Sequence, residues 1–444
     1  MVSQTVMWTV DSAMVGHVGK TELAAVGLGG LLVWTIYSFF VGLSYSVSTY
    51  VAQSYGARKL TWCGAYLWHG LYIGLVSGAI IIFIRYFNSW TVDLLGPAPE
   101  VKDLCVSYAG IRMLSAPFFI FQYTFSNFFR GLGDTKTPMK VMILANCANI
   151  VLDYFLIFGN GPFPTMGVAG AAWATFIANV LSAVAFASIT FSGLFRSEYN
   201  TTCGWRLNKT HLVELLKIGM PIGLHYFLDI GSFLIFSAYV GRMGTEQLAA
   251  NQIVIQVLAL SFMPCHGFSV AATTLMGQYI GAGRHDLAKK SAYATLRLGI
   301  FYSGFIGMTY VLLPVFLVKI FNDDPLVVFY GKRLIYLAAV FQLFDAVQMI
   351  SAGALRGAGD TKTPMILALG GGWFLFLPMS FVFGTVLAGG VVGAWGGATL
   401  YVVFLGIAMF LWLKKERWKG IKLVKVESSP EPGQTQNSSN QAQR

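Results

Sequence analysis

Four carboxylates interrupt the long apolar runs of this 444-residue chain: Asp11 in MWTVDSAMVG, Asp153 in NIVLDYFLIFG, Asp229 eight residues after Pro221, and Asp345 in FQLFDAVQMI. A charge at the centre of a membrane helix costs about 2.5–3.5 kcal/mol on insertion scales, so each acid requires a partner or a task. Asn149 stands one turn before Asp153. The i, i+4 spacing puts an amide and a carboxylate on one helix face, where they can coordinate a small hard cation, share a proton or bridge two helices. Gln342 and Gln348 flank Asp345 at i−3 and i+3, which turns that face toward the bundle interior or a wet cavity. His225 and Ser232 flank Asp229, and the histidine is either a proton shuttle or a packing residue. Asp11 sits near a helix end, where capping or snorkelling competes with an interior role.

Composition sets the elements that hold these acids. The sequence is 56% hydrophobic and 11% charged, more apolar than a soluble core absorbs. Apolar stretches of about 20 residues recur roughly a dozen times, each long enough as a helix to cross about 30 Å of hydrocarbon. A membrane β-barrel needs alternating segments, and the run from Leu71 to Ile84 does not alternate. The run from Met1 to Val18 has neither a charged n-region nor a small-residue cleavage site, so it is expected to be a first span rather than a signal peptide. Further spans are expected at roughly 27–55, 62–87, 100–129, 139–159, 167–193, 211–240, 246–280, 288–317, 326–355, 365–387 and 391–413. Pro117, Pro221 and Pro264 fall inside spans as kinks or fixed bends. Cys63, Cys105, Cys147, Cys203 and Cys265 form no CxxC pair and no Cys/His ligand spacing, which argues against disulfides and a structural zinc site.

The chain is organised as a repeat. RGLGDTKTPM (Arg130 to Met139) returns as RGAGDTKTPM (Arg356 to Met365), with nine of ten positions identical at an offset of 226 residues. VGHVGKTELAA (Val15 to Ala25) resembles VGRMGTEQLAA (Val240 to Ala250), QSYGAR (Gln53 to Arg58) resembles QYIGAG (Gln278 to Gly283), and GVAGAAWAT (Gly167 to Thr175) resembles GVVGAWGGAT (Gly390 to Thr399). Four matches in one order at nearly one offset indicate two fused copies of a six-helix unit. The expected parts are bundles at 1–194 and 211–415, an inter-lobe loop at 195–210, and a basic, then disordered, tail at 416–444.

The formal net charge of +11 does not indicate nucleic-acid binding, because Lys and Arg collect in the tail and in loops after even-numbered spans, such as Arg58, Lys59, Arg196, Arg206, Arg284 and Lys362. Positive-inside topology then puts both termini and both decapeptides in the cytoplasm of a cell (inner) membrane protein. Arg130, Asp134, Arg356 and Asp360 are expected to tie loop ends there and to help close an inner gate.

The two halves, the duplicated RGxGDTKTPM, VGHVGKTELAAVG after the first span and NIVLDYFLIFG on the fifth together resemble the MATE family of multidrug and toxic-compound extrusion transporters, its NorM-like branch. The resemblance covers about residues 1 to 415. It implies an all-α polytopic fold of twelve transmembrane helices in two six-helix bundles related by a pseudo-two-fold axis. It also implies alternating access and export of organic cations in exchange for Na⁺ or H⁺. By motif, Asp11, Asn149, Asp153 and Thr175 correspond to the N-lobe cation or proton site, while Asp229 and Asp345 correspond to the C-lobe acids. Asp229 stands where glutamate is usual in that branch, one methylene shorter. Ten residues precede Asp11, fewer than the family carries, which predicts a short first helix. The expected partners are small organic cations and the lipid bilayer; no cofactor and no nucleic acid is expected, and the unit is a monomer.

Two other readings compete. Related two-bundle proteins flip lipid-linked precursors or export endogenous, often anionic metabolites, which favours a cavity rich in buried Arg or Lys; the spans here carry acids. A membrane enzyme requires clustered histidines, a nucleophile with a partner or a nucleotide loop, and six scattered histidines supply none of these.

Overall fold

The computed structural model describes residues 2–93, 96, 98–159, 163–202, 204–421 and 423–424. Among the described residues the regular structure is entirely helical. The long helices are α1 (Val2–Val18), α2 (Lys20–Gly56), α3 (Leu60–Ile84), α4 (Pro99–Leu114 and Ala116–Leu132), α5 (Lys136–Phe158) and α6 (Val168–Thr190). The second half holds α7 (Lys209–Gly241), α8 (Thr245–Gly281), α9 (His285–Leu312), α10 (Pro325–Ala358), α11 (Lys362–Val386) and α12 (Gly390–Lys414). Ten of these are individually long and apolar enough to span a bilayer, and the bent pair forming α4 makes an eleventh. The 17-residue α1 lies at the short end of the spanning range.

Helix ends follow local chemistry. In each decapeptide a glycine takes the left-handed conformation that ends the preceding helix: Gly133 at φ 89° and Gly359 at φ 95°. The next residue starts the following helix. Asp134 Oδ1 accepts from the backbone N–H of Lys136 (2.9 Å) and Thr137 (3.0 Å), and Asp360 Oδ1 accepts from Thr363 N–H (3.1 Å). The repeated motif is thus a helix stop joined to a helix start. Its acids act within their own lobe, with Asp360 Oδ2 also accepting from Trp412 Nε1 at 2.9 Å.

Proline breaks two expected spans. Pro117 has no N–H to offer the carbonyl four residues back, and α4 bends by 50° at Ser115. The span expected at 288–317 ends at Leu312, and Pro314 begins a separate helix, Pro314–Lys319. Helices α7 and α8 run unbroken through Pro221 and Pro264. Two π-helical segments, Gly372–Phe376 and Val382–Val386, flank Pro378 in α11.

Two large apolar cores result, beside two smaller clusters in the first half around Val15 and Val168 and around Val92 and Cys105. One lies within the second half, around Phe236, Leu296, Leu334, Trp395 and Trp418. The other fills the first half but includes Leu215, Ile218 and Ile222 from the beginning of α7. Helix α7 therefore crosses from one lobe to the other, and Gly42 and Gly223 let the backbones of α2 and α7 touch.

The lobes meet at the decapeptide end through contacts that obey the repeat. Gln53 Nε2 donates to Gly357 O (3.0 Å), and Gln278 Nε2 donates to Gly131 O (2.9 Å). Thr49 Oγ1 donates to Arg356 O (3.1 Å), and Thr274 Oγ1 donates to Arg130 O (3.0 Å). A Cβ on Gly56 would collide with Gln278 O, and one on Gly281 with Gln53 O. This end is closed by a pseudo-two-fold seam of α2 and α8 against each other and against the ends of α10 and α4.

Candidate functional site

Away from the seam, each lobe contains an acid-lined cavity. The larger, about 500 Å³, lies among α7, α8, α10, α11 and α12. Asp229 and Asp345 both open onto it, from facing helices, with Gln348 beside them. Gln342 also lines it but is already engaged: its Oε1 accepts from Ser261 Oγ (2.9 Å), which in turn accepts from Tyr310 Oη (2.9 Å). That buried network holds the α10 backbone around Asp345. Phe341, Phe376, Trp395, Tyr401 and, from the other lobe, Trp34 make the remaining wall largely aromatic.

Arg356 brings the opposite charge into the same cavity. Its Nη2 donates to His225 Nδ1 (3.1 Å) and its Nη1 to Tyr226 Oη (3.3 Å), with the guanidinium 5.2 Å from the Tyr226 ring centroid. Arginine has only donors, so His225 Nδ1 is the acceptor and the ring proton sits on Nε2. The histidine one turn before Asp229 is thereby a support for Arg356.

The smaller cavity, about 290 Å³, is lined by Asp11, Ser12, Tyr37, Tyr108, Arg112 and Phe119 among others, and Trp34 borders it too. Asp11 and Asp153 lie within hydrogen-bonding reach of each other. Two carboxylates at that separation require a shared proton or a cation between them. Asp11 Oδ1, both oxygens of Asp153 and both amide atoms of Asn149 are buried without a partner among the described residues. Four of these atoms are oxygens, of the kind that ligate a small hard cation, and the fifth, Asn149 Nδ2, is a hydrogen-bond donor. Of the four predicted residues only Asp11 lines the cavity; Asn149 and Asp153 on α5 are buried outside its lining, as is Thr175 on α6, whose hydroxyl donates to Ala171 O (3.0 Å).

Arg112 is buried beside these acids, and the bend in α4 places it there. The Arg112 carbonyl at the kink accepts from Tyr37 Oη (2.5 Å) and Ser115 Oγ (2.7 Å), while Nη1 donates to Tyr108 Oη (2.9 Å). Sequence reasoning weighed intramembrane acids and passed over this cation, although the same desolvation rule flags an arginine inside the span expected at 100–129. The two acid-lined cavities also hold one arginine each, Arg112 and Arg356, beside the acids that the sequence showed. Of the four decapeptide residues singled out, Arg356 enters a cavity, the carbonyls of Arg130 and Arg356 join the seam, and Asp134 and Asp360 cap helices.

A family profile described as MatE matches residues 1–155 and 221–382. A curated relative named probable multidrug resistance protein NorM, from Thermotoga maritima, is 29% identical over 424 residues, covering 94% of this chain and 90% of that protein. Multidrug resistance protein MdtK of Yersinia pestis is 27% identical over 430 residues, covering 94% and 93%. Among solved structures, a MOP superfamily transporter from Pyrococcus furiosus, described as having a binding pocket of reverse polarity, superposes with a TM-score of 0.86 at 22% identity over 94% of this chain and 92% of that one. A multidrug resistance MATE family transporter in an outward-facing conformation also gives 0.86, at 21% identity and the same coverage.

Proposed function

The chain belongs to the MatE family, and from that premise we propose that it is a secondary multidrug efflux antiporter, exporting organic cations in exchange for Na⁺ or H⁺ by alternating access. The observation that carries this reading is the pairing of a closed, symmetric seam at one end with two acid-bearing cavities beyond it. The excess of Lys and Arg in decapeptide-side loops supports a cytoplasmic location for that end in the inner membrane, so this state is shut to the cytoplasm.

The acids supply the coupling. A coupling ion arriving from outside satisfies Asp11, Asn149 and Asp153, whose polar atoms lack other partners. A cationic drug is held in the larger cavity by Asp229 and Asp345 against an aromatic wall that offers cation–π surface. Neutralising the acids removes the attraction for the drug, and only a ligand that binds one state better than the other shifts the seam. The two lobes divide the work: at the repeat offset, Phe119 of α4 stands where Asp345 stands on α10.

Proteoliposomes with a Na⁺ or a proton gradient imposed separately test the proposal. Wild type is expected to accumulate or expel a fluorescent cation only when one of these gradients is present. Asp345→Asn and Asp229→Asn are expected to lose the cargo, and Asp11→Asn the gradient dependence. Gradient-driven efflux at wild-type rate in the Asp229 and Asp345 variants would remove the site assignment.

A further inference from the structure

Resting on the efflux reading, we infer that the larger cavity contains a carboxylate subsite built on Arg356, and that it favours zwitterionic aromatic cargo over simple cations. The guanidinium lines the cavity, yet its two hydrogen bonds go to neutral acceptors, His225 Nδ1 and Tyr226 Oη. Its Nε–H is buried with no acceptor among the described residues. No carboxylate pairs with it among the described residues, although Asp229 is near enough to feel its charge. A guanidinium held by neutral partners keeps its charge for a ligand, and a planar fork of donors matches a carboxylate.

Helix α7 sets the spacing. His225 and Tyr226 hold the cation, and Asp229 follows one turn later, so the positive and negative poles of the site stand roughly 5 Å or more apart along the helix. Asp345 faces the same space from α10. A matching ligand carries an amine at one end, a carboxylate at the other and a flat spacer against Phe341, Phe376 and Trp395. The platform is also braced from the other lobe: Tyr45 of α2 stacks on Tyr226 at 5.6 Å between centroids. The carboxylate subsite is therefore complete only while the decapeptide end is closed.

The test uses the full chain in nanodiscs and two dyes, a rhodamine with a free benzoate and its methyl ester, followed by fluorescence anisotropy. The readout is the ratio of the two affinities, which is insensitive to damage that weakens both equally. Arg356→Gln is expected to lower the acid-to-ester ratio by about tenfold to a hundredfold, the loss of a charge-assisted pair, and Arg356→Lys to recover part of it. An unchanged ratio in Arg356→Gln overturns the subsite while leaving cation efflux standing. Failure of wild type to move the ester under either gradient overturns the efflux reading itself, and the subsite with it.

Discussion

Gly281 is where the seam should be easiest to break. In the closed state it lies against Gln53 O so tightly that a Cβ would fall well inside the 3.0 Å that such atoms keep from their neighbours, and the obstacle is backbone, which cannot rotate away. Restoring contact distance in Gly281→Ala moves the ends of α2 and α8 apart by about 1 Å, enough to strain the Gln53–Gly357 and Gln278–Gly131 hydrogen bonds together. Overpacking of this kind costs about 1–3 kcal/mol. Because the state open at this end separates the two surfaces, the cost falls on the closed state alone, and the closed-to-open ratio should drop by about 5- to 150-fold. Spin labels at Lys136 and Lys362, exposed on opposite lobes at this end, report the change by pulsed electron resonance once Cys147 and Cys203 are replaced by serine. The distance distribution is expected to gain a longer component. Gly56→Ala, the repeat equivalent, should act the same way through Gln278 O. A distribution identical to wild type in both variants would refute the view that this seam holds the closed state.

Removing the donors tests the same seam chemically. Gln53→Leu and Gln278→Leu each leave a carbonyl unpaired at a cost of about 1–3 kcal/mol to the closed state; distance measurements on the single and double variants should show whether the two act as one unit, and strict additivity would argue that they do not. Arg112→Leu should destabilise the folded protein by about 3 kcal/mol by stranding the Asp11–Asp153 pair without its fixed counter-charge, read as a lowered Tm that Arg112→Lys partly restores. Beyond α12, Lys289 and Lys419 hold the exposed Glu416 carboxyl down at about 2, against an ordinary value of 4.5. A depressed carboxylate contributes above its unfolded value and fails only as pH falls through the folded one. Hydrogen exchange around Trp418 should accordingly be independent of this contact's titration between pH 5 and 8, and a protection step in that window would show that the pairs do not form.

The architecture was legible because it is written twice. Apolar length located the helices, and the repeated decapeptide divided them into halves. Gln53 and Gln278 were also visible as the first letters of QSYGAR and QYIGAG, but their acceptors were not, since a backbone carbonyl leaves no mark in the residue type. The acids stood out because a charge in an apolar run is costly. Arg112 obeys the same rule, and it was missed by attending to one sign of charge. What the sequence could not supply was which faces meet: that His225 supports a guanidinium from α10, that Trp34 borders both cavities, and that α7 gives its first half to the other lobe's core.

The seam draws its donors from side chains and its acceptors from the main chain. The carbonyls that accept belong to Arg130, Gly131, Arg356 and Gly357, and a Cβ on Gly357 would collide with Thr273 O, so the constraint in each copy falls on the close-packed glycines as well as on one glutamine and one threonine. The interior of each lobe was free to diverge while the closing mechanism stayed common property, which is how one copy came to carry Asp345 where the other carries Phe119. A closure that reads backbone also tolerates recombination: halves exchanged between distant relatives should still shut, provided those few donors and the close-packed glycines travel with them.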